Sequence, residues 1–213
     1  MVSNIGIYKD NYIYKGNEYK KNNCKELVDK LLNKRNIVFL SQILLIKKYS
    51  LNSNKVKIED FIEKKIDEDF SDIENFLFNY EYNKKDRIVY LYSIRNNNVG
   101  LLCNNTKELT VDSIQFYIKN KVIRKNKNLK NSIIVFKINS IFHMILLKEG
   151  YIENSIIVTN KEEIYENIKL LNDVNILIID NTVNEELSLG LSESFKVYSI
   201  NLVEGIYEKI YKK

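Results

Sequence analysis

The chain has 213 residues, of which 45% are hydrophobic and 29% charged, and its 33 basic and 28 acidic residues leave a net charge of +5. This balance excludes an intrinsically disordered chain, which would be poorer in apolar residues and less evenly charged. No run of about 18 or more apolar residues occurs, which excludes a membrane-crossing helix, and the mild positive charge leaves room for an acidic partner or the negative face of a membrane without defining a nucleic-acid binder. The N-terminal residues lack the basic-then-apolar layout of a signal peptide, so a cytoplasmic location is expected. Cys24 and Cys103 match no metal or redox spacing and are expected as reduced thiols, one or both partly buried.

In chain order, residues 4–8 and 12–15 read as a hairpin around Lys9-Asp10-Asn11. A helix is predicted near 23–33, where Leu27, Val28, Leu31 and Leu32 share a face. Residues 36–41 and 42–49 read as consecutive strands. Residues 57–69 form a helix with Ile58, Phe61, Ile62 and Ile66 as one stripe. Strands follow at 75–82 and 87–95, a short apolar piece at 99–103, and a strand at 109–118 interrupted by Asp112-Ser113. The segment 119–131, KNKVIRKNKNLKN, is basic and free of acids, and reads as an exposed connector.

The stretch 132–158 is the most legible part. Its β-branched and aromatic residues break only at Asn139-Ser140 and Glu149-Gly150, so it predicts three strands joined by two tight turns. A helix at 161–171, a strand at 175–180, a helix at 184–192, a strand at 196–200 and a last amphipathic helix at 202–211 complete the pattern. The expected fold is α/β with two related halves, each a strand meander passing into helix and strand, with mixed sheets flanked by helices. The expected division is a first half over 1–118 with an inserted subdomain at about 42–105, the basic connector at 119–131, and a shortened second half over 132–213.

This order resembles the cytoplasmic actin-like (ribonuclease-H-like) proteins of type IV pilus and type II secretion assembly, the PilM and GspL types. The resemblance rests on SQILLIKKYSL from Ser41, the helix VKIEDFIEKKIDEDF, the strand pair NFLFNYEY and RIVYLYSI, and the strand-strand-strand-helix of 132–171. It implies a cytoplasmic scaffold, peripheral at the inner membrane, that binds the tail of a bitopic membrane protein and the assembly ATPase. It also implies three places where related folds hold nucleotide, and here all three are degraded. Residues 4–8 keep Gly6, with Asp10 nearby, but lack the acid and serine of that turn. Residues 136–140 have no glycine and no acid, and 181–184 read Asn-Thr-Val-Asn where a glycine pair is expected. Backbone cradles for phosphate need glycine for close approach and positive φ. The expectation is therefore no catalytic residue, no cofactor, no metal and no enzyme activity.

The remaining candidates each have a plain reading beside a functional one. His143 is the only histidine, placed by strand alternation opposite Phe142 and Met144, and a structural role fits it better than metal ligation. Glu59, Asp60, Glu63 and Asp67-Glu68-Asp69 read as a solvated helix face or a docking face for a basic partner. Lys119, Lys121, Arg124, Lys125 and Lys127, with Lys130, read as a solvated run or a contact for a membrane or acidic partner, and the shortage of aromatics speaks against nucleic acid. No Walker loop or Gly-x-Ser-x-Gly occurs, since Ser188-Leu189-Gly190-Leu191-Ser192 lacks the leading glycine. The competing functional readings are a divergent nucleotide-binding enzyme (a small-molecule kinase or ATPase) and a basic nucleic-acid module. A homodimer stays open.

Overall fold

The computed structural model describes residues 1–53, 56–96, 99–171, 173–187 and 194–212. They divide into two compact units, Leu44–Asn97 and Met1–Ile43 together with Asn98–Lys213.

The larger unit opens with a meander, β1 (Ser3–Tyr8), β2 (Asn11–Tyr14) and β3 (Asn17–Lys20), then a short helix α1 (Cys24–Val28) and β4 (Lys34–Phe39), which returns parallel to β1. The chain then enters the smaller unit. There β5 (Leu45–Ser50), β6 (Phe76–Asn83) and β7 (Ile88–Arg95) form an antiparallel sheet ordered β5-β7-β6, and α2 (Ile58–Asp69) lies between β5 and β6 in sequence. The predicted stripe of α2 packs as expected: Ile58, Phe61, Ile62 and Ile66 meet Leu51, Val89 and Leu91.

Back in the larger unit, β8 (Glu108–Ser113) runs parallel to β4 and completes the order β3-β2-β1-β4-β8, followed at once by α3 (Ile114–Lys125). The second sheet has β9 (Ser132–Ile138), β10 (Ile141–Lys148) and β11 (Tyr151–Val158), then α4 (Lys161–Lys169), β12 (Ile176–Asp180), α5 (Asn184–Leu187), β13 (Lys196–Ile200) and α6 (Glu204–Ile210). Its order is β11-β10-β9-β12-β13, with an antiparallel meander and parallel returns. The two sheets therefore repeat one plan, strand for strand, as the element order implied.

Packing explains why the second meander was so legible. One face of its sheet carries Ile133, Val135, Phe142, Met144, Leu146, Leu177 and Ile179 against Ile164 and Ile168 of α4. Fully burying each such side chain stabilises by roughly 1.5–3 kcal/mol. The helix that ends each half crosses to the other half. Lys119 of α3 sits over the Tyr151 ring of β11 at 5.9 Å. Ile210 of α6 packs against Gly6 of β1, where an added Cβ would come within 3.0 Å of its Cγ2, and the Ile210 carbonyl accepts a bond from Gly16 N at 3.1 Å. The two helices meet at Gly205, where a Cβ would stand 3.0 Å from Tyr117 Oη.

Several sequence expectations change. The strand expected at 109–118 ends at Ser113, because Ile114, Ile118 and Val122 bury one helical face in α3. The stretch 119–131 is accordingly the second half of that helix and a 3-10 turn (Lys127–Lys130), not an open connector. Val122 and Leu129 are buried beneath its charges. The helix expected at 23–33 is α1 alone, since Lys30 N and Leu31 N turn back to carbonyls only three residues earlier. Strand β3 was not anticipated, and 99–103 is a 3-10 turn, Val99–Leu102. The helix expected at 184–192 is described through Leu187, and the Ser188–Ser192 pentapeptide lies outside the described residues. Both cysteines are free thiols, Cys24 buried and Cys103 exposed.

Candidate functional site

The candidate site is the seam where the leading turns of the two sheets meet. The β1–β2 turn places Lys9 at φ 53°, and the β9–β10 turn places Asn139 at φ 53°. The two turns are bridged directly by Tyr8 Oη and Ser140 Oγ at 3.3 Å. Lys9 N donates to Ser41 Oγ at 2.6 Å, at the carboxyl end of β4. Asn139 is clasped from α6: its N donates to Tyr207 Oη at 2.9 Å and its Nδ2 donates to Tyr211 Oη at 3.1 Å. The two tyrosine rings lie 4.9 Å apart, and burial pushes the Tyr211 phenol up to about 12. The turns are thus tied by a direct side-chain bond, and the second is held by two tyrosines.

Gly6 lies inside β1, paired with Ile13 and Val38, three residues before its turn. A Cβ there would fall 2.6 Å from Leu40 Cδ1, so the glycine is accounted for by close packing, and Asp10 is exposed in the turn itself. The position matching Gly6 in the second sheet is Phe136, three residues before Asn139. Its ring stacks on His143 at 4.8 Å with 5° between planes. His143 is fully buried on the face away from Phe142 and Met144. Neither of its ring nitrogens has a hydrogen-bond partner. Burial pulls its pKa down to about 3, and the Leu40 backbone, near but outside bonding geometry, offsets this slightly. Ser113 Oγ and Gln115 Oε1 are also buried without partners, while Gln115 Nε2 donates to Gln42 O at 2.9 Å. These orphaned groups collect around residues 39–42, because Ser113 is paired in register with Phe39.

The third expected turn, 181–184, is a 3-10 turn capped by Asp180. The buried Asp180 carboxylate accepts bonds from Thr182 N at 3.0 Å, Thr182 Oγ1 at 2.6 Å, Leu202 N at 2.5 Å and Val203 N at 3.1 Å. These bonds occupy both carboxylate oxygens, so the group acts as a brace between β12 and the start of α6.

The basic candidates separate into two sets. Lys119 is buried over Phe116 and Tyr151, and Lys121 donates to Leu202 O at 2.9 Å. Arg124, Lys125, Lys127 and Lys130 are exposed. Three of the six acids of α2 are engaged within their own unit. Tyr80 Oη donates to Glu59 at 3.0 Å, and Glu68 pairs with Lys65 at 2.5 Å and Lys64 at 3.6 Å. Asp69 accepts from Tyr49 and pairs with Lys47 at 3.1 Å. These partners hold the Glu59, Glu68 and Asp69 carboxyls below their ordinary values; for Glu59 the largest cause is a bond to its own backbone. The reading of a solvated face fits this arrangement. Sequence reasoning missed Tyr207 and Tyr211, whose only signal was their four-residue spacing on the last helix.

No protein-family model matches the chain, and no curated protein matches it. Solved structures do. A Bacteroides thetaiotaomicron protein of actin-like ATPase fold and unknown function is similar over 94% of this chain and 90% of its own, with TM-score 0.61 and 15% identity.

The fold is actin-like.

The PilM–PilN type IV pilus biogenesis complex is similar over 99% of this chain and 90% of that chain, with TM-score 0.57 and 8% identity. The cytoplasmic domain of EpsL, an inner-membrane component of the type II secretion system of Vibrio cholerae, is similar over 84% of this chain and 81% of that one, with TM-score 0.51 and 6% identity. Among the described residues no helix is long and apolar enough to cross a membrane, and no group of three or more His, Cys, Asp or Glu could hold a metal ion.

Proposed function

We propose that this chain is a non-enzymatic scaffold in the cytoplasmic platform of a type IV pilus or type II secretion system. It is held at the inner membrane by the cytoplasmic tail of a bitopic assembly protein and engages the assembly ATPase. The observation that carries the reading is the likeness to PilM in its complex with PilN, which extends over 99% of the chain. The seam supports it: Tyr8 and Ser140 bridge the two turns, Tyr207 and Tyr211 hold Asn139, and no glycine lines the β9–β10 turn. A short extended tail would bind by adding to a sheet edge, with backbone bonds giving affinity and side-chain pockets giving specificity. An affinity-tagged chain recovered from its own cells is expected to carry a bitopic membrane assembly protein. Recovery of no membrane-assembly component overturns the reading.

A nucleotide-binding enzyme is the competing reading. It is favoured by the partnerless Ser113 Oγ and Gln115 Oε1 where β8 passes into α3, and by the partnerless His143 nitrogens on β10, which a bound ligand would satisfy. Titration calorimetry with Mg-ATP separates the two. The scaffold reading expects no binding below the millimolar range, and tighter binding transfers the assignment to the enzyme.

A further inference from the structure

From Ser113 to Lys148 the sequence contains no acidic residue and eight basic ones, so the positive charge of the whole chain is concentrated there. The fold sorts these residues by direction. Lys119 and Lys121 point inward and fasten α3, through Phe116 and Tyr151 in one case and the Leu202 carbonyl in the other. Arg124, Lys125, Lys127 and Lys130 point outward from the end of α3 and the 3-10 turn after it. None of these four has an ion-pair or hydrogen-bond partner through its side chain among the described residues. Elsewhere Lys30, Lys34, Lys47, Lys64, Lys65 and Lys212 are paired with carboxylates, as is Lys148 at the end of the segment. The β10–β11 turn beside the corner, anchored by Gly150 N to Lys130 O at 2.9 Å, adds Glu149 and Lys148 to its border.

The apolar residues of this corner are withheld from its surface. Val122 and Leu129 are buried, and the side chain of Ile123 lies against Gly150. A folded protein partner would need aromatic or apolar anchors at the centre of its footprint. Single-stranded nucleic acid would need stacking rings, and the nearby Tyr117 is committed to Gly205 and to the Lys209 ammonium at 5.4 Å. What remains is four exposed cationic groups on long flexible stems. That suits a laterally continuous anionic surface, where each basic residue contributes independently.

We infer that Arg124, Lys125, Lys127 and Lys130 form a docking corner for an anionic phospholipid bilayer. The inference deepens the peripheral location proposed above and rests on it, but it is tested without any protein partner, so the two can fail separately. The full chain is sedimented with vesicles of phosphatidylcholine alone and with phosphatidylglycerol added. Retention is expected only on the anionic vesicles, and it falls away as salt is raised toward about 0.5 M. The variant Arg124→Glu, Lys125→Glu, Lys127→Glu, Lys130→Glu is expected to bind at least about a hundredfold more weakly, with an unchanged thermal midpoint. A control with Lys20→Glu, Lys21→Glu, Lys25→Glu, also exposed, is expected to keep most of the binding. Failure of the chain to sediment with anionic vesicles overturns the inference. So does an equal loss in both variants, or tighter binding to duplex DNA than to the vesicles at the same salt. Loss of the bitopic partner in the pull-down, with vesicle binding intact, would remove the scaffold reading and leave this one standing.

Discussion

The two sheets of the larger unit follow the same strand order, but their leading strands solve one packing problem in opposite ways. In the first sheet the strand position three residues before the turn is Gly6, opposite Ile13, and the vacated space admits Leu40 and Ile210 from elsewhere in the chain. In the second sheet that position is Phe136, opposite His143, and the two rings fill the space themselves. The meanders differ accordingly. Strands β2 and β3 have four residues each and β3 is mostly exposed, whereas β10 and β11 have eight each and β10 is buried almost throughout. Shared topology therefore fixes which strand lies beside which. It does not fix whether a sheet supplies its own core or borrows one from a helix of the other half.

This contrast can be broken from either side. The largest effect is expected from Phe136→Ala, which empties the self-filled position: about 3–5 kcal/mol of stability is lost, read from the urea midpoint. On the borrowed side, Gly16 at φ 73° holds the Ile210 carbonyl, and a Cβ there would lie 2.5 Å from the Tyr211 backbone oxygen. Gly16→Ala is expected to cost about 2–3 kcal/mol, since a left-handed conformation and a backbone clash add. Gly6→Ala costs roughly half as much, because the atom it meets first is the end of a leucine side chain. Equal costs for the two glycines would show that α6 is not held at Gly16.

His143 sharpens the comparison through pH. Its folded pKa is about 3 against an ordinary 6.5, so the fold favours the neutral ring and the unfolded chain binds the extra proton. The stability from the neutral ring is fully present above about pH 6.5 and is lost as pH falls toward about 3, near 1.4 kcal/mol per unit. A loss of about 2 kcal/mol is expected between pH 6.5 and about 5, and His143→Phe should flatten that slope. A slope unchanged in the variant would assign the acid sensitivity to other groups. The smallest effect is expected from Asn139→Ala, about 1 kcal/mol for the side-chain bonds to Tyr207 and Tyr211, the backbone bond to Tyr207 being kept, seen as faster amide exchange at the β9–β10 turn.

How far the sequence reaches follows the same division. Ser132–Val158 was legible because its turns carry Asn139 and Gly150 at positive φ between unbroken apolar runs, and a self-packed meander needs no outside information. The α2 stripe was legible for the same reason. Strand β3 was not, because Asn17-Glu18-Tyr19-Lys20 buries only Tyr19 and shows no pattern of its own. The strand-to-helix change at Ser113 was hidden because Ile114, Phe116 and Ile118 also alternate as a strand would. Only the other half of the molecule decides between the two periods. The seam residues Tyr8, Ser140 and Tyr207 are polar groups distant in sequence, and nothing local announces that they meet.

The crossing of α6 onto β1 also has a consequence for synthesis. Ile210, which covers Gly6, leaves the ribosome more than 200 residues after it. The second sheet can condense on α4 as soon as β13 emerges, but the first waits with an open groove at Gly6 until α6 arrives. Contacts of such long sequence separation form late and leave apolar surface uncovered in the interval. The nascent first half is thus the stretch on which a chaperone would be expected to dwell.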